Sequence, residues 1–143
     1  MAPIAMKPTL TIGAAKVAAA AALRAAEERN LKVAVAIVDD GGRLLYFERR
    51  DGVPWGSGDV ALAKAVSAAA YGRDTSVFDN RLADGRMAVL AQPHAFPIQG
   101  GVALMIDAKC VGGIGASGAL AAEDTELCTA GAAALAAGGA RDA

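Results

Sequence analysis

The feature that most constrains how this chain folds is a pair of β-hairpin patterns. The apolar run at residues 33–38 is followed by an Asp-Asp-Gly-Gly turn and a second strand pattern at residues 44–49, and residues 99–106 and 110–116 flank Asp-Ala-Lys in a loosely similar way. Runs rich in β-branched and apolar residues, bounded by such turns, are typical of paired strands. Because strands joined by tight turns run in opposite directions, the two patterns predict an antiparallel sheet.

Alanine-rich segments around the hairpins predict helices. We expect helices over residues 14–29, 60–71 and 123–137, with a shorter one ending near residue 83. Asp124 lies at the start of the last helix, where a carboxylate stabilises the helix dipole. Hairpins that alternate with helices favour an α+β fold in which helices pack on an antiparallel sheet.

The composition argues against several classes of function. The chain has 14 basic and 15 acidic residues and no basic cluster, so it lacks the usual basis for binding nucleic acid. The apolar run at residues 17–23 is too short to span a membrane. We expect one cytoplasmic domain over residues 1–143, with residues 1–9 and 138–143 flexible.

Glycine is concentrated in two blocks between Phe96 and Gly118. The first block is Gly100-Gly101, and the second is residues 112–118, which end in Ser117-Gly118. Glycine weakens the interior of a strand unless something must approach the backbone closely. The blocks therefore indicate either the floor of a ligand pocket, with Ser117 as a hydrogen-bond donor, or tight packing of a helix on the sheet.

His94 is the sole histidine, and it lies in a proline-flanked loop just before the first glycine pair. An imidazole can act as an acid or base near pH 7, or ligate a metal or haem iron; the alternative is a surface residue without a chemical role. Lys64 can pair with a carboxylate such as Glu48, or hold an anionic group of a ligand. No separate metal site is predicted, because Cys110 and Cys128 lack metal-binding spacing.

Four blocks of sequence, taken in order, resemble the GlcG/HbpS-like family, which includes the C-terminal domain of PduO-type proteins. The blocks are residues 36–49, residues 59–65, the segment Pro97-Ile98-Gln99-Gly100-Gly101, and residues 111–118 together with Asp124. The last block is the most specific, because it combines a strand, three glycines and a Ser-Gly end. The resemblance covers nearly the whole chain.

The resemblance implies a bacterial protein with an α/β/α sandwich, in which a central antiparallel sheet of about five strands carries helices on both faces. It also implies a homo-oligomer, tetramer to octamer, and haem as a candidate cofactor. This sequence has no histidine on its first helix, where one kind of haem-binding member carries its ligand. Ser67 stands where a threonine is usual in the family.

The first functional hypothesis is a small-molecule-binding protein, with haem or another tetrapyrrole as the ligand. Its pocket would lie near residues 94–101 and 112–118, and His94 would ligate the iron if haem is bound. The predicted ligand-binding residues are Arg49, Phe96, Gln99, Gly100, Gly101, Ser117 and Gly118.

Two further hypotheses belong to other classes of function. The second is a cofactor-independent enzyme, an isomerase, lyase or hydrolase, that performs acid–base chemistry on a small organic acid or aromatic catabolite. Its predicted catalytic residues are His94, Lys64 and Glu48. The third is a structural subunit of a homo-oligomer, which the small side chains of the predicted core favour.

Overall fold

The computed structural model describes residues 1–138 and confirms the α+β class. Its sheet has four antiparallel strands in the order β2-β1-β4-β3. The strands are β1 (Ala34–Asp39), β2 (Leu44–Arg49), β3 (Gly101–Ile106) and β4 (Lys109–Ser117). The predicted count of about five was one too high. The segment that could have supplied another strand, Met87–Ala91, forms a 3-10 helix instead.

Helices cover both faces of the sheet, as predicted. They are α1 (Ile12–Glu28), α2 (Trp55–Tyr71), α3 (Ser76–Ala83) and α4 (Ala121–Gly138). Helices α1 and α4 pack together on one face, and α2 packs against β4 and β1 on the other. Within residues 1–138, no helix has the length and apolar character needed to cross a membrane.

Local sequence signals fix the ends of α1. The hydroxyl of Thr11 accepts a hydrogen bond from the Ala14 N–H at 3.1 Å, which is the usual N-cap contact. Asn30 follows the helix with φ of 54°, a left-handed conformation that asparagine tolerates. The segment before Thr11 has no helix or strand, and its predicted flexibility stays a prediction. Of the predicted flexible tail, Gly138 ends α4, and residues 139–143 lie outside the described part.

Helix α2 begins at Trp55, five residues before the predicted start near Val60. Glycine has a low helix propensity, so the presence of Gly56 and Gly58 made the sequence prediction miss the first turn of the helix. Tertiary packing explains Gly58, because a Cβ atom there would lie 2.8 Å from Cζ of Phe47 on β2. Contact with the sheet therefore outweighs the weak local preference for a helix.

The connection between α2 and α3 binds the outer edge of β3. Gly101 accepts a hydrogen bond from the Thr75 N–H at 3.0 Å and donates its own N–H to Oγ1 of Thr75 at 2.9 Å. The N–H of Ala103 donates to Oδ1 of Asp74 at 3.2 Å. The first half of this edge is therefore already hydrogen-bonded within the chain.

Candidate functional site

The glycines of β4 lie against the backbone of α2. A Cβ atom at Gly113 would be 2.1 Å from the carbonyl oxygen of Ala65, and one at Gly115 would be 2.1 Å from that of Ala61. No side chain fits at either position unless the helix moves away from the sheet. These two glycines therefore serve helix-on-sheet packing, which is one of the two interpretations that the sequence left open.

The end of β4 is also closed by backbone. Gly118 has φ of 135°, and a Cβ atom there would lie 2.5 Å from the carbonyl oxygen of Lys32. Ser117 is half-buried at the end of the strand, opposite Ala34 of β1. A cavity of about 500 Å³ lies elsewhere, between the N-terminal segment, α1 and α4. Ser117 and Gly118 therefore lie at the end of a strand beside β1, and neither residue lines this cavity.

Lys64 of α2 and Asp124 of α4 form a buried ion pair that joins the two helical layers. The Nζ atom of Lys64 lies 2.8 Å from the carbonyl oxygen of Ala116 and 3.3 Å from Oδ2 of Asp124. Only 1% of Lys64 is exposed. Burial raises the pKa of the Asp124 carboxyl above its ordinary value, although the Lys64 ammonium beside it acts in the opposite direction.

Asp124 does more than favour the helix dipole, because its Oδ1 also accepts a hydrogen bond from the Ala119 N–H at 3.2 Å. The partner of Lys64 is therefore a carboxylate of α4, and not Glu48, which the sequence analysis had offered. Both ions are bonded within the protein, and neither is open to a ligand in this structure. The arrangement is that of a structural ion pair.

Gly100 fills the space directly above this ion pair. Its φ is 119°, and a Cβ atom would lie 2.6 Å from Nζ of Lys64. Its carbonyl oxygen accepts from the N–H of Ala116 at 2.9 Å and from the thiol of Cys128 at 3.3 Å. Burial raises the pKa of that thiol, so Cys128 stays protonated near neutral pH. This part of the glycine segment is closed core.

The segment that leads to Gly100 runs antiparallel along α2. At the C-terminal end of the helix, the hydroxyl of Tyr71 donates a hydrogen bond to the carbonyl oxygen of Pro93. One turn earlier in the helix, Ser67 accepts a hydrogen bond from the Phe96 N–H at 3.0 Å. Lys64 then lies beside Gly100. Residues 64, 67 and 71 are spaced three and four apart, so they form one stripe along the helix.

His94 lies at the tip of a tight turn in this segment. The Ala95 N–H donates to the carbonyl oxygen of Gln92 at 3.2 Å, Pro93 occupies the second position, and His94 has φ of 62° at the third. This is the pattern of a type II β-turn, in which the third position favours glycine or asparagine. A histidine in this backbone conformation is strained, and such strain is concentrated at functional sites.

The His94 side chain is exposed, and apolar side chains precede and follow it in the chain. Met87 is 63% exposed and Leu90 is 60% exposed in the 3-10 helix before the turn, and Ile98 is 43% exposed after it. Phe96 is half-buried. The structure thus places an accessible imidazole in a segment that also carries three exposed apolar side chains.

Gln99 is held between two helices. Its N–H donates to Oδ2 of Asp79 on α3 at 3.0 Å, and its side-chain oxygen accepts from the Thr125 hydroxyl of α4 at 3.5 Å. Gln99 lies between Ile98 and Gly100, where the chain passes from the exposed turn into the core. Its main contacts are therefore structural.

The other predicted site residues lie on β2 and make separate contacts. Glu48 accepts hydrogen bonds from the Tyr46 hydroxyl at 2.8 Å and contacts Nε of Arg50 at 2.8 Å, in a cleft that α1 helps to line. The Glu48 contact raises the pKa of Tyr46. Arg49 is exposed.

The structure does not assemble His94, Lys64 and Glu48 into one site. Lys64 is bonded in the core, Glu48 is bonded beside α1, and His94 is exposed in the turn. Among residues 1–138, no hydrogen bond or ion pair connects any two of the three. The acid–base enzyme hypothesis therefore has no assembled site in this part of the chain.

Sequence reasoning missed three residues that hold the segment from Pro93 to Gly101 in place. Ser67 and Tyr71 bind the turn, and Thr75 binds Gly101. The sequence did contain an indication of the Ser67 and Tyr71 contacts. The spacing of Lys64, Ser67 and Tyr71 indicates a polar stripe on an otherwise alanine-rich helix. The spacing alone did not show which loop crosses that stripe.

Haem needs an axial ligand and apolar contacts for the porphyrin ring. The imidazole of His94 can serve as an axial ligand, and Met87, Leu90 and Ile98 are exposed apolar side chains of the same segment. Within residues 1–138, no cluster of three or more His, Cys, Asp or Glu side chains is arranged to hold a bare metal ion. Residues 87–98 therefore contain the types of side chain that haem binding requires.

Comparison with known proteins gives consistent matches. The family described as "Haem degrading protein HbpS-like" matches residues 10–133. Protein GlcG of Escherichia coli K12 is 32% identical over 98 residues, which cover 68% of this chain and 73% of GlcG.

Two solved structures share the fold over most of their length. A double mutant of Streptomyces reticuli HbpS is 35% identical with a TM-score of 0.81, and the match covers 93% of this chain and 96% of that one. A structure described as a PduOC:heme complex is 25% identical with a TM-score of 0.80, and the match covers 89% and 95% of the two chains. The chain therefore belongs to the HbpS-like family.

Proposed function

We propose that this protein binds haem or a closely related tetrapyrrole on the exposed surface formed by residues 87–98, with His94 as the axial ligand of the iron. The observation that carries the proposal is the position of His94. It is the sole histidine, its side chain is exposed, and its backbone occupies a turn position that favours glycine. Retaining an imidazole there has a conformational cost that a chemical role would justify.

The surroundings of His94 support a flat, apolar ligand. Met87, Leu90 and Ile98 expose apolar surface that would lose contact with water beneath a porphyrin. When bound, haem would supply the redox and ligand-binding chemistry of its iron. The chain itself would provide the imidazole, its orientation and one apolar face.

The comparisons support the same class of ligand. The matching family is described as haem degrading, and one structural relative is described as a haem complex. These descriptions concern other proteins, but they make a tetrapyrrole the natural first ligand to test. The glycine blocks contribute to this site only indirectly, because Gly100, Gly113 and Gly115 are packed against protein atoms.

Titration of the purified apoprotein with hemin tests the proposal. We expect a saturable Soret shift with one haem per chain. His94→Gly should abolish the imidazole-ligated spectrum, and free imidazole added to this variant should restore it. Glycine is the sharper substitution here, because it suits the left-handed backbone and therefore removes the imidazole without disturbing the turn.

The matched control is Asn80→Ala, which alters an exposed side chain of α3 outside the proposed haem surface and should leave the titration unchanged. A wild-type protein that shows no saturable shift would contradict the proposal as a whole. An unchanged haem spectrum in His94→Gly would contradict the assignment of the axial ligand.

We also propose that the protein acts as a cytoplasmic homo-oligomer of four to eight subunits. The exposed apolar side chains of Trp55 and Leu120 support this assignment, because such residues are often covered by partner subunits. Light scattering coupled to gel filtration would give the subunit number. A monomeric mass at micromolar concentration would contradict it.

A further inference from the structure

We infer that Tyr71 and Ser67 are positioning residues that fix the imidazole of His94 for binding ferric haem. The inference rests on the proposed function, and it assigns to α2 the role of orienting the axial ligand. Neither side chain has to touch the haem for this role. Each acts through a main-chain atom of the turn that carries His94.

Tyr71 holds the turn on the N-terminal side of His94. Its hydroxyl donates a hydrogen bond to the carbonyl oxygen of Pro93, the residue immediately before the histidine. The Tyr71 ring is itself fixed, because it packs edge-on against the buried ring of Phe78 with the centroids 5.1 Å apart. A fixed aromatic ring therefore sets the position of the peptide bond that enters His94.

Ser67 holds the turn on the C-terminal side. Its Oγ accepts a hydrogen bond from the Phe96 N–H at 3.0 Å, two residues after the histidine. Ser67 is fully buried in α2, one helical turn before Tyr71. The two side chains thus project from one face of a regular helix and bind the main chain on both sides of His94.

The backbone of His94 explains why two anchors are needed. A non-glycine residue with φ of 62° leaves that conformation readily unless the surrounding structure holds it. The internal hydrogen bond of the turn, from Ala95 to Gln92, is the third restraint. If the anchors are lost, the imidazole samples other directions and a smaller fraction of molecules can ligate iron.

Hemin titration of Tyr71→Phe and Ser67→Ala tests the inference. Each variant removes one hydroxyl and should weaken haem binding about fivefold, the change expected from one net hydrogen bond. The double variant should weaken binding more than either single variant and should show a mixture of ferric spin states. Ser67→Thr keeps the hydroxyl and should restore binding to within about twofold of wild type.

Two matched controls separate positioning from a general loss of stability. Tyr46→Phe removes the hydroxyl of the other tyrosine, which bonds to Glu48 beside α1. Thr129→Ala removes a hydroxyl that bonds within α4. Both controls should leave haem affinity unchanged, even if they lower the melting temperature. Equal weakening by the controls and by the Tyr71 and Ser67 variants would overturn the inference.

A second measurement does not depend on haem. Because the chain has one histidine, its imidazole gives a single ¹³Cε1–Hε1 NMR signal that needs no assignment. The wild type should show one sharp signal, and the Tyr71→Phe/Ser67→Ala double variant should show broadening or several signals. An identical signal in the two proteins would overturn the inference. A change in the double variant but not in Tyr46→Phe would support it.

The two measurements distinguish failure of the inference from failure of the proposed function. Suppose that the wild-type protein binds no hemin, but the NMR signal of the double variant differs from that of the wild type as expected. Tyr71 and Ser67 then do hold the His94 turn, and the haem assignment is wrong. If wild-type protein binds hemin and the anchor variants match it in affinity and spin state, the haem assignment stands and the inference is wrong.

Discussion

Two regions along α2 use polar side chains for opposite purposes. At Lys64 the helix places an ammonium group in the core, where it joins Asp124 and lies against Gly100. At Ser67 and Tyr71 the same helix binds the main chain of an exposed turn that carries His94. The buried region joins the layers of the domain, and the exposed region presents a side chain to the surroundings.

The comparison favours the packing interpretation of the glycine blocks over the pocket interpretation. Glycines at positions 100, 113 and 115 let main-chain and side-chain atoms of α2 approach the sheet closely. The exposed turn at residues 92–95 has no glycine, and a histidine occupies its third position, which is suited to glycine. Substitutions in the buried region should therefore affect folding, whereas those in the turn should affect binding.

The largest effect is expected from Lys64→Met. The substitution keeps the shape of the side chain but leaves the Asp124 carboxylate buried without its charged partner, which costs about 3–5 kcal/mol in comparable cases. Urea unfolding followed by circular dichroism would measure the loss. The double variant Lys64→Met/Asp124→Asn should recover most of it, because no buried charge remains and the asparagine carbonyl can still accept from the Ala119 N–H.

Lys16→Met is the matched control for this experiment. Lys16 is exposed on α1 and has no carboxylate partner within residues 1–138, so its replacement should change stability by less than about 0.5 kcal/mol. Equal losses for the two lysine variants would show that the buried ion pair does not have the structural role assigned to it.

An intermediate effect is expected from Gly115→Ala. The added methyl group would meet the Ala61 carbonyl oxygen at 2.1 Å, so the helix must shift and the fold should lose about 1–3 kcal/mol. Gly56→Ala is the matched control, since Gly56 lies in the first turn of α2 with no atom within 4 Å of the added position. That control should gain up to about 1 kcal/mol from helix propensity. A stable Gly115→Ala protein would favour the pocket interpretation of the glycine block.

The smallest effect on stability is expected from His94→Gly. Relief of the left-handed strain gains about 1–2 kcal/mol, and the greater freedom of glycine in the unfolded chain costs about 0.5–1 kcal/mol. The net change should therefore be between zero and about 1.5 kcal/mol of added stability, measured in the same urea experiment. A loss of more than about 2 kcal/mol would mean that the imidazole is a structural part of the fold.

The sequence contained most of the information about the fold. Both hairpins, the cap at Thr11 and the left-handed Asn30 were predictable, because each depends on residues that are neighbours in the chain. The early start of α2 was not predictable, since Gly58 is explained by Phe47 on a different element. The 3-10 helix at Met87–Ala91 was ambiguous because the segment is too short for its periodicity to decide.

The site was less accessible to sequence reasoning than the fold. His94 was singled out because it is the sole histidine, but nothing local indicated that Tyr71 and Ser67 hold its turn. Both contacts join residues more than 20 positions apart in the chain. The partner of Lys64 was misassigned for the same reason, because the choice between Glu48 and Asp124 depends on which elements meet in space.

The hydrogen bonds from Asp74 and Thr75 to β3 also affect how copies of this protein behave at high concentration. An unprotected strand edge invites pairing with strands of other chains and can begin aggregation. In this chain the main-chain groups of Gly101 and the N–H of Ala103 are already occupied. Pairing with other chains is therefore hindered at the first half of β3, and at β2 the charge of Arg49 discourages it. The loop that closes the core over Gly101 thus also occupies part of the strand edge at which such pairing would begin.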